Sequence, residues 1–210
     1  MKNKNLSLGR KSVLRLSARF LIAFFGLITS IFVQRYLGYE VVGMLAFGAS
    51  FVGMFGILGD LGYGSAHIKK VNEKEMDDGK CNGTLILVKS FLSVLMALLI
   101  FSGIQFWKYY QGEVFGSIML EYVVYLVIIK TFVENNISIF KNIFASKLEM
   151  AKNLVPRVFG RFLQMIAKVS IIFLGYEVLT VEKSVYYLIM VEIIASIIIL
   201  LLLIHQFWGN

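Results

Sequence analysis

The chain has 210 residues, 58% of them hydrophobic and only 16% charged, with a mean hydropathy of +0.77. That balance excludes an ordinary soluble domain, in which about a quarter of the residues are charged, and places the chain in a bilayer. The formal charge of +8 does not indicate a nucleic-acid partner, because the basic residues are dispersed between apolar segments without an aromatic-interleaved basic face. The single Cys81 excludes an internal disulfide or a cysteine metal cluster and is expected to be a free thiol.

The chain opens on a basic segment, 1–12, carrying Lys2, Lys4, Arg10 and Lys11. The apolar run behind it differs from a cleavable signal peptide: Arg15 and Arg19 interrupt it, no small-x-small pattern follows Val33, and five more apolar segments lie downstream. It predicts an uncleaved first helix whose first turns lie amphipathically at the cytoplasmic surface. Hydropathy predicts six spanning helices over 13–34, 41–59, 83–107, 118–140, 157–176 and 184–206, forming one unit over 13–206 with a short tail at 207–210. The fold class is all-α, because backbone groups in lipid must be satisfied within each span and nothing alternates with a strand period.

The second span is charge-free over its 19 residues from Val41 to Gly59. Within it Ala46, Ala49, Gly53 and Gly56 stand at i, i+3, i+7 and i+10, a stripe on which a neighbouring helix can approach closely, and Asp60 is the next residue on that stripe. Before it comes Arg35-Tyr36-Leu37-Gly38, then Glu40 and Gly43; after it comes Asp60-Leu61-Gly62-Tyr63-Gly64-Ser65-Ala66. This arrangement resembles the start of the polysaccharide-biosynthesis flippases of the MOP (multidrug/oligosaccharidyl-lipid/polysaccharide) exporter superfamily. There a first helix ends in Arg-x-Leu-Gly, a short turn with an acidic residue and Gly follows, and the second helix runs into Asp-x-Gly-x-Gly-Ser-Ala. The match is dense over 34–71 and looser beyond, where 144–169 is similar to a short cytoplasmic helix leading into the fifth span. The resemblance implies one helical lobe of a transporter that moves lipid-linked oligosaccharides from the inner to the outer leaflet by alternating access between two lobes. Arg35, Gly38, Gly43, Asp60 and Gly62 fall on the motif and are expected, with Gly53 and Gly56, to serve the framework of the first two helices. Snorkelling to the surface accounts for Arg35 equally well.

Lysine and arginine then fix an orientation. With a cytoplasmic N-terminus the inner side holds fifteen of them and the outer connections only Arg35, Lys108 and Lys183. This asymmetry puts both termini in the cytoplasm and the protein in the inner membrane. The connection 71–80 reads as a polar turn, and Pro156 as the first turn of the fifth helix, where its missing N–H is harmless.

Five charges fall well inside spans: Lys89, Lys130, Glu134, Lys168 and Glu192. Facing lipid, each costs roughly 2.5 to 3.5 kcal/mol at a helix centre, so they are expected to pair or to line a wetted cavity. Arg161, Gln164 and Lys168 share one helix face at i, i+3 and i+7. A purely structural account also stands, with Lys130 and Glu134 as an intrahelical pair and Lys168 with Glu192 as a bridge between helices. In the functional account Arg19, Lys89, Lys130, Arg161, Gln164 and Lys168 receive the phosphate or pyrophosphate of a polyprenyl-linked glycan, and Glu134 and Glu192 serve coupling or ion pairing.

No catalytic residue, cofactor site or metal site is expected. His67 and His205 lie far apart in the sequence, no phosphate-binding glycine loop is present, and no serine has a base placed for it. The reading is therefore a transporter and not an enzyme. Two other readings stay open: a non-transporting scaffold subunit of a glycan-assembly complex, and a drug or cation antiporter of the same superfamily relying on Glu134 or Glu192. Because members of the family carry about twelve or more spans in two lobes, six spans are expected to be a truncated or split product, or to work as a homodimer or with a second six-helix half, with membrane lipid as the other partner.

Overall fold

The computed structural model describes residues 2–73, 77–112, 115–147, 149–175 and 180–208, with the side chains of 2–8, 11 and 150 excepted. Regular structure among the described residues is entirely helical: α1 (Lys2–Met54), a 3-10 turn (Gly56–Gly59), α2 (Tyr63–Glu73), α3 (Asp78–Gln111), α4 (Ile118–Ser146), α5 (Met150–Gly175) and α6 (Val181–Trp208). All of the α-helices except α2 are long and apolar enough to cross a membrane. The all-helical expectation is met.

α1 accounts for the first two predicted spans. It breaks at Gly38, where φ is 83° and ψ is 177°, a region open essentially to glycine alone. The two arms fold back on one another, since Gly26 of the first and Ala49 of the second line one cavity, although a straight helix would hold them about 35 Å apart. A Cβ at position 38 would meet nothing within 4 Å, so only backbone strain opposes a side chain there. Gly38→Ala is expected to lower stability by about 1–3 kcal/mol, read as a fall in the thermal midpoint in detergent. Asn, which tolerates the left-handed helical region but not this one, rescues nothing.

α4 is the hub, packing against α1, α2, α3, α5 and α6. Its Val123, Val124, Val127 and Ile128 meet Val41 and Val52 from the second arm of α1, Met96, Ile100 and Ile104 from α3, and Leu188 and Ile189 from α6. Gly48 brings α1 so close that an added Cβ would stand 2.8 Å from Val123 Cγ1. The first arm instead packs along α5 through Phe25–Phe162 at 5.4 Å and Phe32–Phe173 at 5.5 Å between ring centroids. α5 and α6 touch where Gly160 lies beneath the Cγ1 and Cδ1 atoms of Ile199. Gly160→Val is expected to push these helices apart at a cost of about 1–3 kcal/mol. Adding Ile199→Ala should return most of that loss in the same thermal assay.

Several sequence expectations are corrected. Among the described residues the small-residue stripe carries no close helix approach: Ala46 and Ala49 line a cavity, and a Cβ at Gly53 or Gly56 would meet nothing within 4 Å. The contact is made from another face, by Gly48. Regular helix in the second span ends at Met54, where weak helix formers take over, and Leu61 (φ 42°) and Gly62 (φ 79°) turn the chain into α2.

α2 itself went unforeseen because it is short and too polar to register as a span, and it is held by tertiary contacts. Gly64 sits against the Asn142 side chain, and buried His67 places Nδ1 3.4 Å from Cys81 Sγ. Burial pushes the His67 ring below its ordinary pKa, as befits a neutral side chain packed between helices. Pro156 lies well inside α5, so the carbonyl of Lys152 has no partner N–H one turn on. Residues 74–76 of the polar turn expected over 71–80, and 209–210 of the expected tail, lie outside the described residues.

Candidate functional site

Three helices turn polar faces toward one cleft, and the two arms of α1 close it. On α5, Arg157, Arg161, Gln164 and Lys168 follow at i, i+4, i+7 and i+11, one side of the helix. On α4, Lys130, Glu134, Ser138 and Lys141 repeat nearly the same spacing, and α6 adds Glu192 and Ser196. The cleft consists of two cavities, of about 220 and 450 Å³, which share Ile22, Arg161 and Gln164. Glu134, Ser138, Lys141 and Arg157 line the smaller; Lys130, Lys168 and Glu192 line the larger, which continues past Thr29 and Ser30 to Val33 and Val42 beside the Gly38 break.

Glu192 is the centre of the polar network. Its Oε1 accepts from Lys168 Nζ of α5, and its Oε2 lies 2.5 Å from Lys130 Nζ of α4. Glu134 stands farther off, 3.9 Å from Lys130. Arg161 Nη1 donates to Gln164 Oε1 at 2.8 Å. Gln164 and Lys168 are buried, while Arg161 is exposed to the cleft. Five cations, Lys130, Lys141, Arg157, Arg161 and Lys168, thus face two carboxylates across the two cavities. Lys141 and Arg157 repel each other, and Arg19 is near enough to repel both. Like charges gathered in a poorly solvated cleft favour an anion there.

The model of the polysaccharide biosynthesis protein family matches residues 8–210. The chain belongs to that family. The match bears out the resemblance carried by the Arg35–Gly38 and Asp60–Ala66 segments, and with the apolar helices it makes this a multi-pass membrane protein of polysaccharide synthesis or transport. Searches of curated proteins and of solved structures give no match.

In this polysaccharide biosynthesis protein the cleft gathers Lys130, Arg161, Gln164 and Lys168 with Glu134 and Glu192. Arg19 stands beside it, exposed on α1, and on neither cavity wall. Lys89 is elsewhere. Only 2% exposed, it lies 2.6 Å from Asp60 Oδ1 and donates to Ser138 Oγ at 2.7 Å. Lys89 thus lines neither cavity, and Asp60, expected to join the first two helices, reaches α3 instead. Arg35 and Gly43 are exposed, away from both cavities.

Lys141 and Arg157 were not singled out by the sequence, though each extends a visible stripe, Arg157 one turn before Arg161 and Lys141 two turns after Glu134. At the far end of the helices Lys108 is neutralised by Glu121 at 2.9 Å, which also accepts from Tyr125 Oη at 2.8 Å. The cleft's surplus cations are thus toward the Lys141 and Arg157 end.

Proposed function

We propose that the chain is one lobe of a flippase that carries a polyprenyl-phosphate or polyprenyl-pyrophosphate-linked oligosaccharide across the cytoplasmic membrane, with both termini cytoplasmic. The observation that carries this reading is the cleft itself, in which five cations face two carboxylates along a path walled by α1, α4, α5 and α6. A phosphate cannot cross low dielectric uncompensated, so it needs donors and cations at successive depths.

Lys141 and Arg157 stand at the end that the positive-inside rule makes cytoplasmic, and Arg161 follows. Lys130 and Lys168, near the middle of their helices, form the deepest cationic seat. Beyond them the wall is apolar at Val33, Val42 and Leu45, so the headgroup has a reason to pause at mid-depth. A second lobe, from another copy or a six-helix half, closes the open side and permits alternating access. The carboxylates favour the cation-antiport reading less, because Glu192 already serves two lysines. A scaffold subunit has no use for a cleft of surplus charge.

The test is reconstitution in vesicles containing a fluorescent polyprenyl-pyrophosphate disaccharide, following its exposure to a membrane-impermeant quencher. The expected result is protein-dependent translocation that is lost in the Lys130→Gln/Lys168→Gln double variant. Native protein that inserts but moves no lipid overturns the flippase reading and leaves the scaffold, whereas a double variant moving the lipid at the original rate overturns the role given to Lys130 and Lys168.

A further inference from the structure

The two lysines best placed to seat an anion are already seating one. We infer that Glu192 occupies the anion's place in the unloaded protein, and that a polyprenyl-linked phosphate or pyrophosphate enters by displacing the Glu192 carboxylate from Lys130 and Lys168. This inference rests on the flippase reading and deepens it.

Glu192 reaches from α6 between two neighbouring helices and spends one oxygen on each: Oε1 on Lys168 of α5, Oε2 on Lys130 of α4. An anion bridging two ammonium groups with two oxygens is also how a phosphate would bind there. The bridge borders the larger cavity, so a ligand arriving past Arg161 meets it directly. A second carboxylate, Glu134, waits 3.9 Å from Lys130 on the same helix, so that lysine keeps an anionic neighbour whichever way it turns. Released from the lysines, Glu192 faces a cavity lined by Arg161 and Gln164 and does not stand bare against lipid.

The arrangement solves a problem that any membrane seat for an anion must meet. Two empty lysines at mid-depth would be unpaired charges in low dielectric, and a seat without a competitor would not let its ligand go. With Glu192 in place the apparent affinity falls by the fraction of time the seat stands open, and return of the carboxylate drives release.

The test uses the full chain in lipid nanodiscs, with fluorescent farnesyl pyrophosphate as probe and anisotropy as readout. Glu192→Gln is expected to bind at least ~10-fold more tightly than the native protein and to release the probe more slowly, a gain that a merely structural residue would not produce. Glu192→Asp, whose shorter arm bridges the lysines less well, should fall between. It carries the comparison alone if the Gln variant does not insert, with binding no tighter than native overturning the inference.

Lys168→Gln should lose binding. If Lys168→Gln loses binding but Glu192→Gln is no tighter than native, the inference is overturned and the cationic seat stands. If neither substitution changes binding, the cleft does not hold the anion and the flippase reading goes with it. Inorganic pyrophosphate, titrated by calorimetry, should show the same tightening; tightening for the prenylated probe alone would overturn displacement by the anion.

Discussion

Asp60→Asn is expected to destabilise the protein by about 3–5 kcal/mol, whereas Lys89→Met, on the other side of the same ion pair, should cost much less. The asymmetry follows from burial. Lys89 is 2% exposed, while the Asp60 side chain is 58% exposed. Asparagine keeps the shape of Asp60 and an oxygen that can still accept, but it removes the charge, so the Lys89 ammonium is left in the interior beside Ser138 Oγ without its counter-ion. Methionine at position 89 removes the buried charge instead. It leaves Asp60 largely exposed, and Ser138 still donating to the carbonyl of Asn135 at 2.8 Å. The double variant should recover most of the loss, the sign of a coupled pair.

The readout is built into the chain. Cys81 is the only cysteine and is buried, so a thiol-reactive dye reports its exposure on heating. Equal losses for the two single variants would mean that Asp60 and Lys89 act separately. The pair also reaches the cleft, because Ser138 accepts from Lys89 on one side and lines the smaller cavity on the other. It pins the break after α1, where a Cβ at Gly59 would lie 2.7 Å from Asn135 Nδ2.

What the sequence revealed and what it hid divide along a physical line. Features set by a residue and its own helix were legible. Hydropathy located the long helices, the Arg35–Gly38 motif marked the break in α1, and the i, i+3, i+7 spacing put Arg161, Gln164 and Lys168 on one face.

Features set by the partner across a gap were not legible. Lys130 has Glu134 one turn away, which suggests a local pair, yet its shorter contact is to Glu192 on α6, because α4 and α6 pack closely enough to make the longer sequence separation the shorter distance. Lys89 looked like the other intramembrane lysines; that it turns to Asp60 depends on the 3-10 turn and on Leu61 and Gly62, which re-aim the chain there. Lys168 with Glu192 was foreseen as a possible bridge, but not that Lys130 shares the same carboxylate. Small residues misled in a similar way: the eye follows Ala46, Ala49, Gly53 and Gly56, while the close approach is at Gly48.

Arg161→Gln is expected to slow lipid translocation by about 10–100-fold while leaving the thermal midpoint near that of the native protein. Arg161 lines both cavities, and with Gln164 and Ile22 it forms the passage between the outer cations and the Lys130–Glu192–Lys168 seat. Its side chain is exposed to the cleft, so its removal leaves no buried group unpaired apart from Gln164, to which glutamine at 161 can still donate. The change therefore falls on the charge offered to a passing anion. A hydrogen bond to a charged group contributes about 1.5–3 kcal/mol, and 1.4 kcal/mol is tenfold, which sets the range. Arg161→Lys should fall between, since it keeps the charge and loses the planar fork that grips two phosphate oxygens at once. Arg35→Gln, equally exposed but on neither cavity wall, should move lipid at the native rate. If Arg161→Gln and Arg35→Gln behave alike, then position in the cleft carries no meaning for transport, and the lysine seat must be reached by another path.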